Sequence, residues 1–334
     1  METQTIDAWT VELQRWPMLA AFAFGEASNI LSVLVLARPK LRKNTCSLYL
    51  LGASISNAIG IFVGLLYFIV TSQFGFSFLS ASRGLCKFIP FMYYSTLFLA
   101  SWFILLACID RYCSTHSKAA IRRFSHIDAA KWFLILLPCF SFISHIHLLV
   151  YIDWIQISLC SFTSFNYILF FYFYYVIFYA FMTPLLYIIF AGLTILNVRR
   201  IKKVVAIVVK RNRGFIKPHQ RQNTLDAQLL RMLIVQVLSF VILTMPLAAW
   251  NIYISFTYYR PKSATTRSLE ALVSVNFRFL NFINSGSACV IYATTSHVFR
   301  EELMALLRCR WFRKTILREH QPHVFFITPH IAPL

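Results

Sequence analysis

Seven long apolar runs separated by short polar connections organise this chain, at residues 17–38, 46–71, 85–110, 129–151, 166–198, 227–256 and 271–295. A helix of about 20 apolar residues crosses the hydrocarbon layer, because a helix satisfies its backbone internally where lipid offers no hydrogen bonds. The pattern predicts an all-α membrane protein, a seven-transmembrane helix bundle over residues 17–295 with a short N-terminus, 1–16, before it. Past the seventh run, Val298, Phe299, Leu303, Leu306 and Leu307 recur at helical spacing, with Arg300, Glu301, Glu302 and Arg308 on the other side. That spacing predicts a short amphipathic helix on the membrane surface at 296–309, followed by an aperiodic tail, 310–334. Pro90, Pro138, Pro184, Pro246 and Gly286 lie inside runs and predict kinks. Residues 199–224 alternate basic clusters with apolar positions and predict a basic continuation of helix five, broken near Gly214 and Pro218.

Composition agrees: 58% of the residues are hydrophobic and 13% charged, where globular domains carry about 25% charge. The net charge of +20 would suit nucleic acid were it not so unevenly placed. Of 32 Lys and Arg residues, 25 flank the first, third and fifth connections, the inner end of run six and the tail, and six lie on the other side. The asymmetry sets the N-terminus outside and the tail in the cytosol. Its partner is the lipid bilayer with its anionic inner leaflet, not nucleic acid. Residues 1–16 carry Glu2, Asp7 and Glu12 and lack a cationic leader with a cleavage site, so the first run is expected to serve as its own insertion signal. No acceptor sequon for N-glycosylation occurs there.

Two of eight cysteines, Cys86 and Cys160, fall on the outer side, where an oxidising compartment allows a bridge. Cys46, Cys108, Cys113, Cys139 and Cys289 fall in runs or on the cytosolic side as thiols, and Cys309 stands at a position open to acylation. From Cys86 to Arg111 the spacing is 25 residues, roughly 37 Å of helix, which separates an outer face from an inner one. The Asp110-Arg111-Tyr112 triplet therefore sits at the inner end of the third run. His145 and His147, two apart on one helix, are expected on different sides and have no further ligand at metal spacing. No nucleophile with a placed base appears either, so neither an enzyme nor a resident metal or cofactor is expected.

Taken together, IDRYCSTH closing the third run, the Cys86 spacing, Asn29, Trp132, Pro184, Pro246, Phe240 six residues before Pro246, Asp226 twenty before it, and Tyr292 closing the seventh run resemble the rhodopsin-like G-protein-coupled receptors over roughly residues 17–310. The resemblance implies a switch in which Asp110 and Asp226 hold Arg111 at rest and helix six swings about Pro246, with Tyr112, Phe240 and Tyr292 in the same machinery. It implies a heterotrimeric G protein as cytosolic partner. It also implies an extracellular ligand in a cavity lined by Tyr93, Tyr94, Leu97, Leu247, Asn251 and Phe282. The departures matter as much: Asn57 stands for the family's aspartate, Thr244 for its tryptophan, Gly192 for a tyrosine and Ala288-Cys289 for Asn-Pro. With Asn57, Ala100 and Ala288 in place of polar or acidic groups, sodium regulation is expected to be absent. Phe282 replaces the retinal lysine and Tyr93 the amine-binding aspartate, which disfavours an opsin and a monoamine receptor.

Arg278 is charged within a membrane run and so marks a functional position by default. It either reads an acidic or carbonyl group of a ligand or pairs with Glu26 of the first run. The combined reading is a single-domain receptor for an extracellular ligand, a neuropeptide first and a small chemosensory molecule second. Two further alternatives are a seven-span enzyme or transporter, for which no constellation or repeat is visible, and a receptor of the same fold that signals poorly or without ligand.

Overall fold

A computed structural model describes the backbone of residues 2–74, 82–155, 159–211 and 220–308, and the side chains of residue 12 and of 15–70, 82–153, 160–201 and 227–308. Span one is α1 (Glu2–Leu36), which begins well before the first apolar run. Span two is α2 (Thr45–Gly60), a wide π-turn (Ile61–Leu65) and α3 (Leu66–Phe74). Span three is α4 (Arg83–Ser114); α5 (Ala119–Arg122) and a 3-10 turn (Arg123–Ser125) lead on to span four, α6 (Ile127–His145) and α7 (His147–Tyr151). An antiparallel hairpin, β1 (Ile152–Ile155) and β2 (Leu159–Phe162), precedes span five, made of α8 (Phe165–Tyr174), a second π-turn (Tyr175–Phe181) and α9 (Met182–Arg211). Span six is α10 (Gln220–Thr257), span seven is α11 (Ala264–Gly286) with α12 (Ala288–Thr295), and α13 (His297–Leu307) occupies the stretch read as the surface helix. The expected break near Gly214 and Pro218, the tail and Cys309 lie outside the described residues.

Six of these spans are apolar and long enough to cross a membrane among the described residues. Span seven is the polar exception: α11 carries Arg267, Glu270, Asn276, Arg278, Asn281 and Asn284, and the helix is interrupted at Ser287. Span three is the axis, its most apolar window 67% buried against 22% for span four on the rim. Trp132 accordingly projects outward from span four at 66% exposure.

The kinks fall only partly where proline does. α6 runs through Pro138 and gives way eight residues later at Ile146, while α10 runs unbroken through Pro246. In span five the wide turn ends just before Pro184, whose ring conflicts with the carbonyl four residues back in a regular helix. Thr183 Oγ1 donates to the Phe178 carbonyl at 2.8 Å, so the irregular stretch keeps an acceptor satisfied in lipid. The interruption expected at Gly286 is present, and Ser287 Oγ there donates to the Asn284 carbonyl at 2.8 Å.

Spans one and seven cross in parallel with almost no side chain between them. A Cβ built on Gly286 would stand 2.9 Å from the Gly25 Cα, and backbone cannot swing aside as a long side chain can. One turn deeper, Asn29 Nδ2 clips the Ser285 carbonyl at 3.1 Å, and the Cys289 amide donates to Ser28 Oγ at 3.2 Å. Gly286→Val is therefore expected to destabilise the bundle by about 1–3 kcal/mol through overpacking. The check is thermal unfolding of the solubilised protein; an unchanged midpoint would mean that the two backbones are not in contact.

Candidate functional site

Span three carries chemistry at both ends. At the outer end the disulfide Cys86–Cys160 binds the hairpin to the helix, with the two Cα atoms 5.6 Å apart. Asp153 of β1 pairs with Arg83 and, at 3.4 Å, with Lys87 on the first turns of α4, so a covalent bond and a charge cluster fix the same hairpin. Beneath it lies a cavity of about 220 Å³. Tyr93, Tyr94, Leu97, Leu247, Asn251, Arg278 and Phe282, the residues expected from sequence, all line it.

Aromatic rings shape that cavity. Tyr93 meets Tyr94 at 5.0 Å and Phe282 at 5.8 Å, and Tyr94 meets Phe171 edge-on at 4.7 Å. Gly64 admits the Tyr93 ring, since any Cβ at that position would run into it. Sequence reading missed Gly64, Phe162, Phe171, Tyr172 and Tyr175 as lining groups. No spacing marks Phe171, Tyr172 and Tyr175, because aromatic residues fill span five on every face, and Gly64 and Phe162 enter only through the packing of span two and the hairpin.

Arg278 is the single Lys, Arg, Asp, Glu or His among the lining residues, and the pairing with Glu26 is not formed. Glu26 Oε1 is buried without a hydrogen-bond partner among the described residues. Register explains the miss. Spans one and seven run in the same direction with Gly25 opposite Gly286, eight residues beyond Arg278, which sets Glu26 about 12 Å deeper than the arginine.

His145 and His147 also depart from expectation. The break at Ile146 brings their rings within 6.2 Å, both against Tyr174, and His147 Nδ1 shares a 2.5 Å hydrogen bond with the Tyr167 hydroxyl. No group of three His, Cys, Asp or Glu able to hold a metal occurs among the described residues.

At the inner end, Asp110 and Arg111 are each only 4% exposed. Asp110 Oδ2 accepts from Arg111 Nε at 3.1 Å and from its terminal nitrogen at 2.5 Å, while Oδ1 accepts from Thr45 Oγ1 at 2.6 Å and Ser125 Oγ at 2.7 Å. Arg111 further donates to Asn44 Oδ1 at 3.3 Å, the same oxygen that caps α2 by accepting from the Cys46 amide. Tyr112 turns away to pack on His116 and on Phe190 of span five. The Asp226 side chain lies outside the described residues.

Between the two ends, Phe240 is held between Tyr179 and Tyr187 at 5.3 and 5.5 Å, and the Tyr187 hydroxyl donates to the Ser101 carbonyl at 2.5 Å. Pro246 sits in α10 above them. Tyr292 is 1% exposed and packs on Phe299, locking α13 onto span seven. Asn57 shares a small inner cavity with Ala100, Ser101, Gln236, Asn284 and Ser285, and no carboxylate lines it.

A helical bundle that spans the membrane, with a lined cavity toward one end of span three and a buried acid–arginine pair at the other, defines a multi-pass membrane receptor. The chain belongs to the 7 transmembrane receptor (rhodopsin family), whose family model matches residues 28–292. It is 35% identical over 104 residues to the C-C chemokine receptor type 1 of Macaca fascicularis and 35% identical over 102 residues to that of Homo sapiens, each match taking in 30% of this chain and 28% of the relative. These matches thus reach little more than a quarter of either relative's length. The C-C chemokine receptor 1-like protein 1 of Mus musculus is 25% identical over 299 residues, 86% of this chain and 77% of that protein. Family membership makes the chain a receptor and not an enzyme.

Removing one donor from a buried carboxylate costs about 1.5–3 kcal/mol. Thr45→Val is therefore expected to lower the thermal midpoint more than Thr115→Val, which removes only hydroxyl bonds to nearby carbonyls of its own helix. Equal midpoints for the two variants would show that Thr45 does not support Asp110.

Proposed function

We propose that this protein is a plasma-membrane receptor, N-terminus outside, that converts binding of an extracellular peptide into activation of a heterotrimeric G protein. The observation that carries the reading is the unbroken α4 helix. It places Tyr93, Tyr94 and Leu97 in the outer cavity and Asp110 and Arg111 at the inner face on one rigid element. A ligand that favours one packing of the outer helices shifts the inner end by the difference in its affinity for the two packings.

Cavity size supports a peptide over a small molecule swallowed whole. About 220 Å³ lies below the roughly 300–1,000 Å³ typical of sites that enclose a drug-sized ligand. It accommodates the tip of a larger ligand whose remainder lies on the hairpin and the outer connections. The relatives are named for C-C chemokines, which moves the reading from a neuropeptide toward a chemokine-type peptide. A chemosensory receptor for small molecules is the second reading, favoured by the aromatic character of the cavity.

Asp226, twenty residues before Pro246, supplies the second carboxylate of the resting latch on Arg111. A charge-assisted hydrogen bond contributes about 1.5–3 kcal/mol, so its loss shifts the resting equilibrium roughly 10- to 100-fold. Basal G-protein activation, normalised to surface expression, is expected to rise in Asp226→Ala and to fall in Arg111→Ala relative to wild type. Background output from all three at good surface expression would overturn both the latch and the coupling.

A further inference from the structure

The outer cavity holds one full charge, and nothing among the described residues answers it. Arg278 is exposed into the cavity and forms no ion pair or hydrogen bond among the described residues. The carboxylate best placed in sequence, Glu26, lies about 12 Å deeper behind the contact of Gly25 with Gly286. Around it stand the hydroxyls of Tyr93, Tyr94, Tyr172 and Tyr175, all near enough to feel the guanidinium, the Asn251 amide and otherwise mostly apolar side chains.

The rim carries the same sign. Asp153 is taken up by Arg83 and Lys87, and Glu270 by Lys262 at 2.7 Å together with the Tyr253 hydroxyl at 3.0 Å. Arg260 and Arg267 of the sixth connection are exposed and form no ion pair among the described residues. Of the described outer carboxylates Asp153 and Glu270 are neutralised and only Glu12 of the N-terminal segment stands exposed, while Arg260, Arg267 and Arg278 remain, a net positive field that draws an anion toward the mouth.

We propose that the cavity receives a carboxylate of the ligand, which pairs with Arg278 while an apolar or aromatic group next to it packs against Phe282, Tyr94 and Leu97. The inference rests on the receptor reading above and names the chemistry of its ligand. A planar guanidinium binds a carboxylate through two parallel hydrogen bonds. One cation among apolar walls matches a single negative charge and leaves a dianionic phosphate half unpaired. A ligand ammonium would meet Arg278 with no acceptor carboxylate beside it. Such a carboxylate comes either from a peptide, at its C-terminus or on an acidic side chain, or from a free organic acid.

The test uses the full chain in lipid nanodiscs and ligand-observed NMR titration with two matched pairs. One pair is acetyl-Gly-Gly-Phe and its C-terminal amide; the other is 6-phenylhexanoic acid and its primary amide. At least one acid is expected to bind wild type about 10- to 100-fold more tightly than its amide. Arg278→Gln is expected to abolish that gap, and Arg278→Lys to restore part of it. Preference for the peptide acid assigns the carboxylate to a peptide, and preference for phenylhexanoic acid assigns it to a small acid.

Equal binding of acid and amide to wild type, a gap that survives in Arg278→Gln, or no binding of either acid to folded wild type would each overturn the proposal. Basal G-protein activation of wild type against Arg111→Ala separates the two levels. If that difference persists while the acid preference fails, the ligand chemistry is wrong and the receptor stands; if it too is absent, the receptor reading falls with it.

Discussion

A charged pair buried at the end of a membrane helix has to find partners for every oxygen and nitrogen it brings with it, and the inner half of this bundle is arranged around that demand. Asp110 and Arg111 hold each other, but one pair cannot satisfy four carboxylate lone-pair sites and five guanidinium donors. Thr45 and Asn44 come from the start of span two, and Ser125 from the 3-10 turn of the third connection. Two separate segments are thereby placed against span three by one ion pair. Asn44 serves twice, as the cap of α2 and as an acceptor for Arg111. A buried pair of this kind contributes little net stability compared with apolar packing, and its value lies in specifying which arrangement is adopted. That is what an element with two alternative packings requires.

Elsewhere in the membrane region a number of hydroxyls are met locally, within their own helix. Ser54, Ser56 and Thr96 donate to carbonyls three or four residues back in their own helices. Thr183 reaches five residues back, where the π-turn has widened the helix. Such bonds let hydroxyl residues occupy helix interiors without demanding a partner across the bundle. They also free helix faces for close approach, as at Gly25 and Gly286, where the neighbouring helix supplies carbonyls and amides in place of side-chain packing.

Much of this architecture was legible in the sequence, because lipid permits so few backbone solutions. Apolar run length located the spans. The Cys86 to Arg111 spacing separated the two faces, and the residues assigned to the pocket through the family pattern do share one cavity. What escaped the reading depends on phase and depth between helices. Glu26 and Arg278 belong to neighbouring spans, yet nothing in either segment encodes that Gly25 stands opposite Gly286 and leaves the two charges apart. His145 and His147 were expected on different sides because a regular helix would put them there, and the break came at Ile146 with no proline or glycine to announce it. Asn44 was visible in principle as a capping residue before an apolar run. Ser125 was not, since its role exists only once the third connection folds back onto Asp110.

The departures from the family pattern find a physical counterpart between spans five and six. Thr244, where the family keeps a large aromatic ring, is fully buried, and Tyr179 from the π-turn of span five stands beside it. Tyr179 also packs on Phe240 and donates to Asn281 Oδ1 of span seven at 3.3 Å. One tyrosine on span five thus bridges spans six and seven at the level of Thr244. A regular helix would rotate Tyr175 and Tyr179 differently, because the wide turn changes the phase of everything after it. The π-turn and the small residue at Thr244 are therefore two halves of one packing solution. Any swing of span six about Pro246 has to slide Phe240 past Tyr179 and Tyr187, so in this chain span five resists or accompanies the motion instead of standing by as a fixed wall.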